Sequence, residues 1–206
     1  MFKDYLNKMF GKNFEKEFME TLQLLDEKSK NPVMKYYSEY EEYMERAYFE
    51  GDISEEEYKK MRRLSYGTEH SAGLDLPIWD ERLVNGEWSY NGRYILRPME
   101  HKIFKTGVYM KIPEGCYGEL DTRSSTSKKK LDLLCHTIDA DYIGNIKVSV
   151  INLNTEPVEI KNGDYLFQII IKPYVKVNPS RVESPDHLGD TERGAGGFGS
   201  TDKKFN

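Results

Sequence analysis

The chain has 206 residues, of which 38% are hydrophobic and 32% charged, and its formal net charge is −5. This length suits one domain, or a domain with an appendage, and is sufficient to bury a hydrophobic core. The negative charge argues against a broad nucleic-acid-binding surface, which usually needs a basic excess. No stretch approaches the roughly 20 apolar residues of a membrane span, and the first residues lack the apolar core of a signal peptide.

The number and spacing of the cysteines indicate that the protein is located in a reducing compartment. The two cysteines, Cys116 and Cys135, are too few for a zinc framework, and nothing in their spacing requires a disulfide. Reduced thiols are typical of cytosolic proteins, so we expect a cytoplasmic protein.

Residues 1–65 have the apolar periodicity of helices, with apolar side chains every three or four positions. A proline after Asn31 interrupts the pattern, and Gly51 is placed to end the second run. Three helices are predicted, the first from Phe2 to Leu25, the second from Val33 to Gly51, and the third from the capping box Ser54–Glu57. We therefore expect a helical N-terminal extension over residues 1–65.

Two carboxylates of this extension, Glu42 and Glu45, lie one helical turn apart and share a face. All-helical nucleotide pyrophosphohydrolases hold Mg²⁺ with such a pair, but they also need a later Glu-x-x-Asp, which residues 1–65 lack. A solvated charged face is the favoured interpretation.

From residue 66 the sequence is typical of short strands separated by turns. Ile146, Val148 and Val150 alternate with polar residues, which indicates a strand with one buried face. The predicted strands are Tyr94–Leu96, Ile103–Ile112, Ile146–Ile151 and Tyr165–Ile171. We expect an all-β barrel or sandwich over residues 66–178, followed by a polar, glycine-rich arm over residues 179–206.

Two polar turns in the β region carry candidate chemistry. In the first, Arg123 stands among several hydroxyls, which suits phosphate oxygens, although an ordinary polar turn is equally compatible. In the second, Asp139 and Asp141 lie between apolar strands. A carboxylate there can act as a general base or can simply bond its own backbone in a turn.

The third candidate is the arm around Arg193, where Gly194, Gly196 and Gly199 satisfy G-x-G-x-x-G. A dinucleotide-binding fold is excluded because no strand precedes the motif and no helix fits after it. A flexible arm with an arginine, hydroxyls and the ring of Phe198 suits a phosphorylated planar ligand. A disordered glycine-rich tail is the alternative.

Five segments in this order resemble the five motifs of the trimeric dUTPase family, and the resemblance covers about residues 64–201. The segments are Ala72–Leu76, Arg123–Ser125, Ile138–Gly144, Asn162–Gln168 and Arg193–Thr201. The resemblance implies a mainly β fold, a jelly-roll-like β-clip barrel, and hydrolysis of dUTP to dUMP and pyrophosphate with Mg²⁺. It also implies a homotrimer with active sites shared between subunits, and leaves residues 1–65 either to cover the trimer or to bind a protein partner.

The third motif is implied to hold the catalytic group. Asp139 matches the aspartate that activates the water attacking the α-phosphorus, and Tyr142 matches the ring under the deoxyribose that leaves no room for a 2′-hydroxyl. The hairpin carrying Thr137, Ile138 and Asp139 is implied to recognise uracil through its backbone.

The other motifs are implied to hold the triphosphate. Arg123, Ser124 and Ser125 match the phosphate-binding turn of a neighbouring subunit, and Gln168 matches a contact that helps order that turn. Arg193 matches a γ-phosphate ligand and Phe198 the ring that stacks on uracil. The remaining expected substrate contacts are Lys147, Gly199, Ser200 and Thr201. Mg²⁺ is implied to be held by the phosphates and water, with Asp75 near those waters and no direct protein ligand.

Several positions depart from the family pattern. His136 stands where glycine is usual, and would be strained if that position needed a positive φ. Thr137, Leu133, Tyr165 and Phe167 are also unusual for the family and bear on the base pocket. Two alternative functions stay open at this point, a deaminase acting on dCTP and a regulatory protein that binds dUTP. Ser149 argues against the deaminase, because that enzyme needs a glutamate at the corresponding position.

Overall fold

The computed structural model describes residues 34–61, 63–85, 92–191 and 193–196. The chain divides into two compact units, Met1–Tyr174 and Val175–Asn206. The first predicted helix, from Phe2 to Leu25, lies outside the described residues. No helix in the described ranges is long and apolar enough to cross a membrane.

The described residues are mainly β, as expected. The strands are β1 (Lys35–Ser38), β2 (Leu74–Pro77), β3 (Arg93–Leu96), β4 (His101–Lys105), β5 (Val108–Lys111), β6 (Cys116–Thr122), β7 (Leu131–Leu133), β8 (Thr137–Ile138), β9 (Lys147–Asn152), β10 (Val158–Lys161) and β11 (Tyr165–Pro173). The helices are α1 (Glu39–Glu50), α2 (Glu55–Lys60), α3 (Glu81–Val84) and α4 (Ser124–Ser127), with a 3-10 turn at Pro185–Leu188.

All strand pairs are antiparallel, and they form one larger sheet and three smaller ones. The four-stranded sheet has the order β2-β11-β6-β8, and the three-stranded sheet has the order β4-β9-β7. The pairs β1-β5 and β10-β3 complete the arrangement. Because β8 lies at an edge of the larger sheet, the backbone groups on one of its sides are not hydrogen-bonded to any of the described strands.

The hydrophobic core is one cluster of buried side chains drawn from all four sheets. Phe104 and Phe167 are its largest fully buried side chains. On β9 and the residue before it, Ile146, Val148 and Val150 are buried while Lys147 is exposed. The alternation read from the sequence is therefore confirmed, and it fixes which face of β9 points inward.

The second predicted helix is wrong at its start. Residues 35–38 form strand β1, which pairs with β5, and the helix begins only after Ser38. Tyrosine favours a pleated surface, and the open edge of β5 supplies backbone partners that overrode the helical periodicity. The predicted end is confirmed, because Gly51 caps α1 in the left-handed conformation with φ 81°.

The predicted capping box of α2 is also confirmed. The Ser54 hydroxyl accepts a hydrogen bond from the Glu57 backbone N–H at 3.2 Å, and the Glu57 carboxylate accepts from the Ser54 N–H at 2.9 Å. These bonds satisfy N–H groups that the first turn of a helix leaves without partners.

Helix α1 contacts the β region through aromatic rings. On α1, Tyr40 and Tyr43 lie 5.1 and 4.8 Å from the ring of Trp79, measured between centroids. The two carboxylates that share a face of α1 have protein partners: Glu45 pairs with Arg63 at 2.9 Å, and Glu42 accepts from the Tyr37 hydroxyl.

Candidate active site

A cavity of about 630 Å³ lies against the turn that follows β8. Its lining residues are Tyr117, Thr137, Asp139, Ala140, Asp141 and Tyr174. A volume of this size is within the range that holds small-molecule ligands. Two residues predicted to act together on the nucleotide, Thr137 and Asp139, therefore share one wall.

Strand β8 presents its backbone at this wall. It pairs on one side only with β6, where Ile138 lies opposite Gly118 and Thr137 opposite Glu119. Just before β8, the Leu120 N–H donates to the His136 carbonyl at 2.7 Å. Since an edge strand keeps one row of N–H and C=O groups outside the ladder, β8 can offer backbone donors and acceptors to a ligand.

The ring of Tyr142 is held by its own turn. The Tyr142 backbone N–H donates to the Asp139 carbonyl at 3.1 Å, and its hydroxyl donates to the Asn145 carbonyl at 2.7 Å. The ring lies against Gly144 so closely that a Cβ there would be 2.6 Å from the hydroxyl oxygen. The turn therefore requires glycine at position 144.

The turn containing Arg123 is anchored to strand β11. The Arg123 N–H donates to the Leu166 carbonyl at 3.2 Å, and its Nη1 donates to the Tyr165 carbonyl at 2.9 Å. The buried Thr126 hydroxyl also donates to the Leu166 carbonyl, at 2.5 Å. Ser124 and Ser125 remain exposed at the start of α4, so their hydroxyls are accessible to a ligand.

A buried carboxylate orients the same guanidinium. Asp75 on β2 is 5% exposed, and its Oδ1 lies 3.1 Å from Arg123 Nε. Gln168 lies opposite Asp75 in the β11–β2 ladder, and its side chain donates to the Thr122 carbonyl at 3.4 Å. A Cβ at Gly73 would approach Gln168 Oε1 to 2.5 Å. The first, second and fourth motifs therefore meet on adjacent strands.

These motifs do not meet the third motif within the first unit. Thr137 pairs with Glu119 on β6, and Arg123 follows four residues later along the chain. At the rise of a β-strand this separation is roughly 13 Å. The two groups of predicted site residues thus lie at different ends of the same sheet.

The arm is described as far as residue 196. Arg193 is exposed, and its Nε donates to the Gly196 carbonyl at 2.8 Å. The Gly194 N–H donates to the Thr191 carbonyl at 3.1 Å, with φ 54° at Gly194. The expected contacts Phe198, Gly199, Ser200 and Thr201 lie outside the described residues.

Three further positions can be located. Lys147 is exposed on β9, opposite Lys105 of β4. The Ser149 hydroxyl lies 2.7 Å from His101 Nε2. His136 is not strained, because among the described non-glycine residues only Met99 and Lys130 have a positive φ. Its ring Nδ1 lies 3.0 Å from the Leu120 carbonyl oxygen.

Sequence reasoning missed two residues of the cavity wall, Tyr117 and Tyr174. Their rings pack edge to face with centroids 6.5 Å apart. Tyr117 lies on β6 and Tyr174 directly follows β11. For aromatic residues in or beside strands a core position is the usual expectation. Only the pairing of β6 with β11, which aligns Pro173 with Cys116, brings the rings together.

Comparisons with known sequences all indicate the same family. A family model for dUTPase matches residues 59–202. A deoxyuridine 5'-triphosphate nucleotidohydrolase of Mus musculus is 40% identical over 111 residues, covering 53% of this chain and 67% of the relative. The enzyme of that name from Finegoldia magna is 36% identical over 139 residues, covering 66% and 88%.

Solved structures share the fold. A Staphylococcus bacteriophage 80alpha dUTPase mutant with dUpNHpp superposes with a TM-score of 0.59 at 22% identity, covering 83% of this chain and 99% of the other. A mutant dUTPase from phage phi11, reported with a structural Mg(II) ion, has a TM-score of 0.53 at 22% identity, covering 74% and 98%. With the family match extending over more than half of the chain, this protein belongs to the dUTPase family and is a hydrolase that converts dUTP to dUMP.

Proposed function

We propose that Asp139 is the general base of this reaction, in a site completed by neighbouring subunits of a homotrimer. The main support for this proposal is that two groups of predicted site residues, one around Asp139 and one around Arg123, lie apart within one chain. Asp139 lines the cavity beside β8, whereas the Arg123 turn lies roughly 13 Å further along the sheet. A triphosphate bound at Asp139 would therefore need its phosphate ligands from another subunit.

In the proposed step, Asp139 accepts a proton from a water molecule as the water oxygen bonds to the α-phosphorus. The bond from that phosphorus to the bridging oxygen breaks, and pyrophosphate leaves with the electron pair. The exposed position of Asp139 on the cavity wall gives both water and nucleotide access to the carboxylate.

Recognition of the nucleoside is assigned to β8 and to the turn that follows it, of which Thr137 and Asp139 line the cavity. The backbone of Thr137 and Ile138 on the edge strand would pair with uracil. The ring of Tyr142, held by Asn145 and Gly144, would occupy the space that a 2′-hydroxyl needs. A ring fixed in this way can select by shape, because it cannot move aside for the larger sugar.

Recognition of the triphosphate is assigned to the other motifs. Arg123, oriented by Asp75, would donate its outer N–H groups to phosphate oxygens, and the Ser124 and Ser125 hydroxyls would add donors. Gln168 would keep this turn in place through Thr122. The remaining proposed ligands are Lys147, Arg193, Phe198, Gly199, Ser200 and Thr201.

The donor set fits Mg²⁺ carried in by the triphosphate. The described residues contain no group of three His, Cys, Asp or Glu side chains that could hold a metal ion. Mg²⁺ keeps several waters and commonly binds through substrate phosphates, so a dedicated cage is not required. Asp75, a buried carboxylate beside the phosphate-binding arginine, is the residue that would face those waters. When bound, the ion would neutralise charge on the phosphate oxygens.

Substitution of the proposed base tests the mechanism. For Asp139→Asn we expect dUTP turnover to fall by about a hundredfold or more, as for loss of a general base, while dUTP binding persists. Turnover is measured as dUMP and pyrophosphate formed with Mg²⁺, and binding by calorimetry. Asp141→Asn, at the same wall, is the matched control and should keep most of the rate. Undiminished turnover in Asp139→Asn would refute the assignment.

Mixed subunits test the shared site. Asp139→Asn and Arg123→Ala should each be inactive alone. In randomly mixed trimers a site with both native residues should form, restoring about a quarter of the wild-type rate. If each chain held a complete site, mixing would restore no activity. Sedimentation of the wild-type protein gives the oligomeric state independently.

Two further expectations belong to this proposal. A cytoplasmic location stays a prediction from the low cysteine content of the sequence. A regulatory role for residues 1–65 through a protein partner stays a prediction.

A further inference from the structure

Tyr117 lies on β6, the strand that pairs with the edge strand before the proposed base. In the β6–β8 ladder Gly118 is opposite Ile138. The ladder ends there, and one further step in the same register brings Tyr117 opposite Asp139. Residues directly opposite in an antiparallel pair have Cβ atoms roughly 5 Å apart. The two residues are therefore neighbours across the sheet, and both line the cavity of about 630 Å³.

The side chains of Tyr117 and Asp139 share the outer face of the sheet. Leu120, three residues after Tyr117, is buried in the core, and side chains alternate along a strand. Ile138 packs against the same core, so the residue after it points outward as well. The aromatic ring and the carboxylate thus lie on one surface.

Tyr174 supports the Tyr117 ring from the side away from Asp139. Tyr117 is opposite Lys172 in the β6–β11 ladder, and Tyr174 is the diagonal neighbour two residues on. The two ring centroids are 6.5 Å apart, with the planes at 71°. The Tyr174 backbone N–H donates to the Gly115 carbonyl at 3.0 Å. This bond fixes the backbone of Tyr174, and the edge-to-face contact restricts the Tyr117 ring.

The composition of this wall suits a nucleoside better than a triphosphate. Tyr174 is 47% exposed and Tyr117 is half-buried, so both rings offer accessible surface. Among the described residues that line the cavity there is no lysine or arginine. The wall therefore provides aromatic surface beside carboxylates, and a base with its sugar has apolar faces that can cover such rings.

We propose that Tyr117 contacts the substrate, its ring packing against the nucleoside of dUTP, and that Tyr174 holds this ring in place. The inference rests on the proposed binding of dUTP beside Asp139. A ring that is fixed before binding loses little conformational freedom when the ligand arrives, so more of its contact energy appears as affinity. Because other residues hold the phosphates, loss of the ring weakens binding of the nucleoside and not of pyrophosphate.

The test replaces Tyr117 with leucine, which removes the ring and keeps an apolar side chain. The readouts are the KM for dUTP and the inhibition constants of dUMP and pyrophosphate, measured on the full chain with Mg²⁺. For Tyr117→Leu we expect the KM and the dUMP constant to rise about tenfold, the upper range for an aromatic contact, and the pyrophosphate constant to stay unchanged. Tyr117→Phe keeps the ring and should remain close to wild type.

Tyr37→Leu is the matched control. Tyr37 also packs against a tyrosine ring across two paired strands, that of Tyr109 at 5.7 Å, and it is 50% exposed in a separate groove. This variant should leave all three constants unchanged.

A double variant tests the part played by Tyr174. Tyr174→Leu should raise the dUMP constant about threefold, through loss of the ring contact. Because Tyr174 acts through Tyr117, the double variant should be no weaker than Tyr117→Leu alone. Full additivity of the two changes would refute the supporting role of Tyr174.

Two results would overturn the contact of Tyr117 with the nucleoside. One is an unchanged dUMP constant in Tyr117→Leu, and the other is an equal loss of dUMP and pyrophosphate binding, which would indicate a general disturbance of the site. Thermal unfolding checks the fold of each variant, and Tyr117→Met provides a second variant without the ring.

Failure of this inference is distinguishable from failure of the proposed base. If Asp139→Asn abolishes turnover and Tyr117→Leu leaves the dUMP constant unchanged, the aromatic contact is refuted and the base stands. If Asp139→Asn keeps its turnover and Tyr117→Leu weakens dUMP binding alone, the base is refuted and the aromatic contact stands.

Discussion

At the scale of single residues, Gly144 shows how a small side chain sets the place of a large one. The Tyr142 ring lies so close to position 144 that a Cβ there would be 2.8 Å from ring carbon Cζ. Contacts this short force the ring to move, and its hydroxyl would leave the Asn145 carbonyl. The glycine is required for close packing, since its φ is not in the left-handed region.

We predict that Gly144→Ala displaces the Tyr142 ring and raises the KM for dUTP by about tenfold, the cost of a clash of 1–2 kcal/mol. Steady-state kinetics and inhibition by UTP measure the change. Gly67→Ala is the control, because an added Cβ there meets only the Ser71 hydroxyl at 3.5 Å and Asp75 at 3.9 Å. An unaltered KM in Gly144→Ala would show that the ring does not contact the nucleotide.

At the scale of elements, short local signals fixed the helices of the N-terminal segment. Ser54, Glu57 and Gly51 determine where α2 begins and α1 ends, because each satisfies backbone groups within a few residues of itself. Strand β1 has no such local signal. Its four residues are extended because they pair with the edge of β5. Since β5 lies about 70 residues later in the chain, the sequence around β1 gives no sign of this pairing.

We predict that Ser54→Ala weakens α2 by about 1 kcal/mol, the usual cost of losing an N-cap. Hydrogen exchange of the amides of residues 57–60 should accelerate by about fivefold. Ser54→Thr keeps the hydroxyl and should retain the protection. Because α2 contributes no proposed site residue, dUTP turnover should not change. Equal exchange in the alanine and threonine variants would contradict the role of the cap.

At the scale of the first unit, the buried Asp80 joins segments that are distant in the chain. Its carboxylate accepts from Arg82 Nε at 2.7 Å and from the Lys105 N–H at 3.0 Å, while its own N–H donates to Asn162 Oδ1 at 2.9 Å. Burial opposes ionisation of Asp80. The hydrogen bonds from Arg82 and Lys105 more than offset this, so that the pKa lies below its ordinary value of 3.8.

We predict that Asp80→Asn lowers the unfolding free energy at pH 7 by about 3 kcal/mol, as expected when a buried ion pair loses one partner. Since the folded-state pKa is lowered, the contribution of Asp80 is complete above pH 3.8 and is lost as the pH falls through the folded value. Unfolding midpoints of variant and wild type should therefore converge in acid. Glu81→Gln, an exposed neighbour, is the control. A gap in midpoint that stayed constant as the pH falls below 3.8 would contradict the prediction.

The sequence by itself determined the family, the mainly β class, the C-terminal end of α1, the start of α2 and the buried face of β9. Each depends on residues close in the chain or on motifs in a fixed order. Only the tertiary structure decided that β1 joins β5, that Tyr117 and Tyr174 share the wall with Asp139, and that Asp75 orients Arg123. These contacts arise from strand pairing between distant segments, where many registers satisfy the same local pattern and only packing of the whole core selects one.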